Sequence, residues 1–92
     1  MKKMDTLNWR IERLESDIKD TKEQLAKTLH MVATTFEYTA NQIDTGSERW
    51  HNDGDYVEHN CNWIREYSKR IERFEHDLDL LKQTRDLMLC EE

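Results

Sequence analysis

The fold of this chain follows from residues 64–81, which read IREYSKRIERFEHDLDLL. Apolar side chains recur in this stretch at alternating spacings of three and four residues, at Ile64, Tyr67, Ile71, Phe74, Leu78 and Leu81. Side chains so spaced lie along one side of an α-helix, and a period of about 3.5 residues keeps that side against a partner helix. The stretch therefore predicts one helix of a coiled coil.

A second apolar pattern, over residues 5–43, supplies the partner helix. Its first half has heptad spacing, with Thr21 filling one core position among Leu7, Ile11, Leu14, Ile18 and Leu25. Beyond Leu25 two successive spacings of four predict a stutter, which locally unwinds a supercoil. After the stutter the apolar residues that continue the predicted seam are Leu29, Val32, Phe36, Ala40 and Ile43.

The connection between the helices is predicted at residues 44–54, which contain both glycines of a chain without proline. Gly46 suits the left-handed residue that closes a helix. Asp55 and Glu58 have capping-box spacing, so the second helix is predicted over residues 55–90. The sequence thus predicts one all-α domain, residues 1–92, folded as an antiparallel helical hairpin with coiled-coil-like packing.

Some apolar residues are not needed for a two-helix seam. Leu80, Leu87 and Trp63 lie on other faces of the second helix, and a lone hairpin of this size has little core. We therefore expect two copies to associate into a four-helix bundle. Residues 28–45 are poor in charge and rich in threonine, which predicts cover by a second subunit or by an outside partner.

Composition bounds the location of the protein. The 92 residues carry a net charge of −6, and no apolar run approaches the ~20 residues that a membrane-spanning helix needs. The residues after Met1 contain no apolar block typical of a signal peptide. Cys61 and Cys90 would lie roughly 43 Å apart on one helix, too far to bridge within the chain, and free thiols fit a reducing compartment. We expect a cytoplasmic protein, in the host cytoplasm if the chain is phage-encoded.

Neither metal binding nor catalysis is predicted. Four histidines and two cysteines occur without a Cys-x-x-Cys or His-x-x-x-His pair. The chain contains no nucleophile motif and no glycine run that would cradle a phosphate. A hairpin offers no deep pocket in which pKa values would be tuned. We therefore expect no enzyme activity and no cofactor.

Two regions are candidates for binding a protein partner. Residues 44–58 contain one base, Arg49, against five acids, and they include Trp50, Asp53 and Asp55. Trp63 is the second candidate, because tryptophan is over-represented at binding hot spots. Trp50 is also consistent with a cover over the open end of the bundle, and Trp63 with a place in a dimer core.

A basic stripe on the second helix is a candidate nucleic-acid surface. It consists of Arg65, Lys69, Arg70 and Arg73, but acids interrupt it and the pI of the chain is near 5.2. Salt links within and between the helices are the favoured interpretation of the stripe.

Three functions stay open from the sequence. The leading prediction is a non-enzymatic protein-protein interaction module that self-associates and binds a protein partner. In size, acidity and absence of motifs the chain also resembles small phage-encoded proteins that block restriction, CRISPR or polymerase machinery, which implies an acidic inhibitor of a nucleic-acid-handling enzyme. Nucleic-acid binding through the basic stripe is the third.

Overall fold

The computed structural model describes residues 2–46 and 53–90 and contains two long helices. Helix α1 spans Lys2–Asp44 and helix α2 spans Asp53–Cys90, with no strand in either range. They pack side by side into a rod of 71 × 15 × 14 Å. The predicted all-α helical hairpin is confirmed.

The helix ends differ slightly from those predicted. Helix α1 begins at Lys2 rather than at residue 5, and the hydroxyl of Thr6 donates to the carbonyl of Lys2 within its first turns. Helix α2 begins at Asp53, two residues before the predicted Asp55, so both carboxylates lie in its first turn. Acids are favourable there because the helix dipole is positive at its N-terminus.

The predicted closing role of Gly46 is confirmed. Its φ is +76°, and its amide donates to the carbonyl of Ile43 at 3.0 Å. A left-handed residue at this point ends α1, since side-chain-bearing residues rarely adopt that conformation. The rest of the predicted connection, residues 47–52, lies outside the described residues.

Three polar contacts along the rod define the antiparallel register. Near the turn, the hydroxyl of Thr39 donates to a carboxylate oxygen of Asp53. At mid-length, Lys22 Nζ lies 3.5 Å from Glu75 Oε1. At the open end, Arg85 Nη1 donates to Asn8 Oδ1 at 3.4 Å. As residue numbers rise along α1 they fall along α2, as a hairpin requires.

The contact between the helices, hereafter the seam, is an unbroken heptad pattern on α2. All of its positions are buried or half-buried, and they are Asp53, Val57, Asn60, Ile64, Tyr67, Ile71, Phe74, Leu78, Leu81, Arg85 and Met88. The six residues that define the predicted seam of this helix all belong to it. Asn60 is buried, and its side-chain amide donates to the carbonyl of Tyr56 at 2.8 Å.

The seam of α1 differs from the prediction beyond Leu25. The heptad continues without a stutter through Leu7, Ile11, Leu14, Ile18, Thr21, Leu25, Thr28, Val32, Thr35, Thr39 and Gln42. The placement of Leu29, Phe36, Ala40 and Ile43 in the seam is therefore wrong. Leu29 is 48% exposed, Phe36 56% and Ile43 52%.

The physical reason is that threonine can occupy a seam position when its hydroxyl is satisfied. Thr21, Thr28 and Thr35 each donate to the carbonyl four residues earlier, at 2.7, 2.9 and 3.0 Å. That bond removes the cost of burying a hydroxyl and leaves the methyl group to face α2. Ranking residues by hydrophobicity alone chose Leu29 over Thr28.

The core is correspondingly thin. Among the described residues, the buried hydrophobic side chains are Leu7, Ile11, Ile18 and Val32. Two helices cover only one stripe of each other, so the remaining apolar residues of the seam stay half-buried. Neither helix combines the length and the apolar character needed to cross a membrane, over the residues searched.

Candidate functional site

Many large apolar side chains lie outside the seam and face solvent. Those that are exposed in the described residues are Trp9, Leu29, Met31, Phe36, Tyr38, Ile43, Tyr56, Trp63, Leu80, Leu87 and Leu89. Isolated exposed apolar residues are normal on protein surfaces, whereas contiguous ones mark interaction sites. Their positions in the heptad therefore decide whether they form surfaces.

One side of the hairpin near the turn carries a group that we name the aromatic face: Met31, Tyr38, Tyr56 and Trp63. Each of these residues directly precedes a seam position. In an antiparallel pair such positions of the two helices lie on the same side. Tyr38 and Tyr56 accordingly line one groove together with Thr34, Thr35 and Asp53. Met31 lines the adjoining groove, again with Tyr56.

Trp63 is held in place by its neighbours on α2. Its indole nitrogen donates to His59 Nε2 at 3.2 Å, and its ring stacks on Tyr67 with centroids 5.6 Å apart and planes at 27°. The Arg70 guanidinium lies 5.9 Å from the Tyr67 ring. Trp63 nevertheless remains 41% exposed. An exposed aromatic side chain that is already ordered loses little conformational entropy on binding.

The acidic tip is only partly within the described residues. Asp53 is half-buried and accepts the Thr39 hydroxyl, so its carboxylate joins α2 to α1. Asp55, two residues further along α2, is exposed. Trp50 and its neighbours Glu48 and Arg49 lie outside the residues that the structure describes.

The basic stripe is mixed with partners of opposite or neutral charge. Arg70 is half-buried, and its Nε lies 3.3 Å from Glu66 Oε1. Arg65 donates to Asn62 Oδ1 at 3.3 Å. Lys69 and Arg73 are exposed on the outer side of α2. Two of the four basic side chains, those of Arg65 and Arg70, are thus bonded to residues of the same helix.

A groove at the open end of the hairpin is lined in part by Trp9, which the sequence analysis did not single out. Its lining comprises Trp9, Arg10, Arg13, Leu14, Asp77, Leu80 and Leu81. The Arg13 guanidinium lies 6.0 Å from the Trp9 ring centroid and its Nε 3.9 Å from Asp17 Oδ1. Leu80, which the sequence analysis placed off the seam, therefore borders Trp9 of the other helix.

The opposite side of α1 carries a group that we name the alanine stripe: Ala26, Leu29, Ala33, Phe36, Ala40 and Ile43. Its large members directly follow seam positions, as do Lys22 and Glu75, whose ion pair lies on the same side of the hairpin. All six of its residues are exposed, and the side chains of Leu29, Phe36 and Ile43 are each about half accessible to solvent. Sequence reasoning missed this stripe because it assigned four of its members to the seam.

The described residues assemble no constellation for metal chemistry. Over residues 2–46 and 53–90, no group of three or more His, Cys, Asp or Glu side chains could hold a metal ion. Cys61 and Cys90 are free thiols, the first half-buried and the second exposed. Every buried side-chain nitrogen or oxygen in this part of the chain has a hydrogen-bond partner. The distinctive feature of the surface is therefore its exposed apolar groups.

Known proteins add no assignment to this geometry. The chain matches no protein-family model, no curated protein and no solved structure at a significant level.

Proposed function

We propose that this chain is a non-enzymatic protein-protein interaction module, a helical hairpin that self-associates and binds a protein partner. The observation that supports the proposal is the distribution of large apolar side chains. In the described residues, far more of them are exposed than are buried. Burial of apolar surface is the main favourable term in protein association. A hairpin with so little internal core leaves many large apolar side chains available for other chains.

The aromatic face is the surface that we assign to the partner. Tyrosine and tryptophan supply large contact area and are enriched at hot spots of protein interfaces. Thr34 and Thr35 line both grooves beside Tyr56, and Asp53 adds a carboxylate to the groove that contains Tyr38. Such a groove accepts the apolar side of an amphipathic helix, a recurring mode of peptide recognition.

A site-specific cross-linking experiment tests this assignment. A photoreactive amino acid is placed at position 63 in one variant and at position 76 in a matched control. His76 is exposed on the same helix, outside the seam and the aromatic face. The expected result is one dominant cross-linked protein from position 63, absent from position 76 and lost on Tyr56→Ala. An identical set of products from both positions would show that the aromatic face is not a binding surface.

The acidic-inhibitor alternative receives less support from the charges of the described residues. Glu66 pairs with Arg70, Glu75 with Lys22, and Asp17 with Arg13. Mimicry of a nucleic acid needs unopposed carboxylates that attract a phosphate-binding groove. Charge reversal of Asp53 and Asp55 in a nuclease inhibition assay tests it, and unchanged inhibition would exclude mimicry at the tip. A retardation assay at low salt tests nucleic-acid binding through Arg65, Lys69, Arg70 and Arg73.

A further inference from the structure

We propose that two copies of this chain pair through the alanine stripe in antiparallel orientation, about a two-fold axis that passes between Ala33 and Phe36. The turn-proximal halves overlap and the open ends point in opposite directions. The inference rests on the self-association in the proposed function and specifies its surface and direction. It places the contact within residues 26–43 of α1, which overlap the range 28–45 where the sequence predicts cover by a second subunit or an outside partner, rather than on Leu80, Leu87 and Trp63 of α2.

The alanine stripe is regularly spaced along α1. Its residues follow one another at intervals of three, four, three, four and three from Ala26 to Ile43. This is the heptad pattern of a coiled-coil seam, and α2 does not cover it, because the covered stripe of α1 is the one that contains Thr28 and Thr35. Helix α1 therefore carries two heptad stripes. One forms the seam with α2, and the other has no partner within the described hairpin.

The order of small and large side chains along the stripe favours an antiparallel pair. Alanine alternates with Leu29, Phe36 and Ile43 along the stripe. In an antiparallel pair, Ala33 of each copy opposes Phe36 of the other. The same operation sets Leu29 against Ala40, and Ala26 against Ile43. Facing layers pack well when large and small residues interdigitate in this way.

Parallel pairing lacks this complementarity. It would set each residue against its own copy, so that Phe36 meets Phe36 and Ala33 meets Ala33. Layers with two large side chains would then alternate with layers that leave a gap between two methyl groups. An antiparallel two-fold contact is instead self-complementary, since residue i contacts j and j contacts i.

The distribution of charge along the same side of the hairpin also favours an antiparallel pair. Toward the open end, the positions that continue this side carry Glu12, Glu15, Lys19, Lys22, Glu72, Glu75, Asp79, Lys82 and Asp86. Acids outnumber bases there. Parallel, full-length pairing would bring two such acidic halves together, at a repulsive cost. The antiparallel pair overlaps only along the apolar half and leaves the charged halves in water.

The size of the contact indicates its strength. Eighteen helical residues span about 27 Å, and a helix is about 10–12 Å wide, so the footprint is on the order of 300 Å² per copy. A standard stable interface buries about 800 Å² per partner. The dimer is therefore expected to be concentration-dependent, with a dissociation constant in the micromolar range or weaker.

A size-swap experiment tests the surface and the size complementarity of its layers. Sedimentation velocity over a concentration series from about 10 μM to about 1 mM, chosen around the expected affinity, measures the mass of each variant. Ala33→Phe alone opposes two large residues and is expected to give a monomer at concentrations at which the unchanged chain is a dimer. Phe36→Ala alone leaves a gap and is expected to weaken association at least tenfold. The double variant A33F/F36A restores each large-against-small pair only in the antiparallel arrangement and is expected to recover the dimer.

Matched controls separate this inference from the proposed function. Met31→Glu alters the aromatic face of the same helix and is expected to leave the mass unchanged. Ala33→Glu is expected to abolish the dimer while the cross-link from position 63 is retained. Circular dichroism checks that each variant keeps its helicity, which is expected because the substituted positions are exposed. A monomeric unchanged chain at the highest concentration, a dimer that survives Ala33→Glu, or a double swap that stays monomeric would each overturn the proposal.

Discussion

Truncation of Ile11 and of Leu29 should have very different effects on stability, although both residues belong to the apolar pattern of α1. Ile11 is 2% exposed, the most buried large side chain in the described residues, whereas Leu29 is 48% exposed. Ile11→Ala removes about three buried methyl or methylene groups, worth about 2.4 kcal/mol of transfer free energy, and adds a cavity term. We expect a loss of about 3 kcal/mol in the free energy of unfolding.

Leu29→Ala removes a similar group that is already half hydrated. The transfer loss is then about 1 kcal/mol, and the higher helix propensity of alanine offsets a small part of it. Urea unfolding followed by circular dichroism at submicromolar concentration, below the dissociation constant expected for the proposed dimer, measures both variants. If Leu29→Ala cost as much as Ile11→Ala, Leu29 would lie in the seam after all, and the continuous heptad through Thr28 would be wrong.

Three further substitutions test other parts of the hairpin. Gly46→Ala should lower the free energy of unfolding by about 1 kcal/mol, because alanine is strained at φ +76°. An added Cβ meets no atom within 4 Å, so backbone strain is the whole of the expected cost. A loss of that size should lower the thermal midpoint by ~4–8 °C, and a midpoint that stays within about 1 °C would contradict the prediction. Asn60→Leu should raise the stability to urea, because an apolar group replaces the buried amide. It should also broaden the mass distribution in sedimentation, since a polar seam residue restricts register and partner number. A less stable variant with a single mass would refute this prediction. Lys22→Ala should change the free energy of unfolding by less than about 0.5 kcal/mol in thermal unfolding, because the side chains of Lys22 and Glu75 are 58% and 52% exposed. A loss above ~1 kcal/mol would show that this ion pair contributes to the register.

The threonines of α1 show where reasoning from sequence stopped. In the first half of the helix one apolar residue stands at nearly every seam position, so a single pattern fits and the prediction is confirmed from Leu7 to Leu25. In the second half two heptad patterns coexist. One contains Thr28 and Thr35, and the other contains Leu29 and Phe36. Hydrophobicity favours the second pattern, and only the packed structure shows that α2 lies against the first.

The candidate surfaces were predicted less completely than the fold. Trp63 is exposed, as a binding residue must be, and the sequence analysis singled it out. Trp9, Tyr38 and Tyr56 were not singled out, since nothing local distinguishes an exposed aromatic residue from a buried one. A usable signal was present, because Tyr38, Tyr56 and Trp63 each directly precede a seam position. That signal has meaning only once the seam of each helix is known.

The sequence by itself determined that this chain is a helical hairpin. Heptad spacing, the absence of proline and two glycines confined to one segment are local properties, and each of them predicts two long helices joined at a single turn. Tertiary structure alone decided which of two apolar stripes on α1 faces α2. That choice depends on how well each face of α1 packs against α2. It also depends on the threonine hydroxyl groups, which can be buried because they donate to carbonyls of their own helix. The same choice leaves the alanine stripe exposed to solvent and available to a second chain.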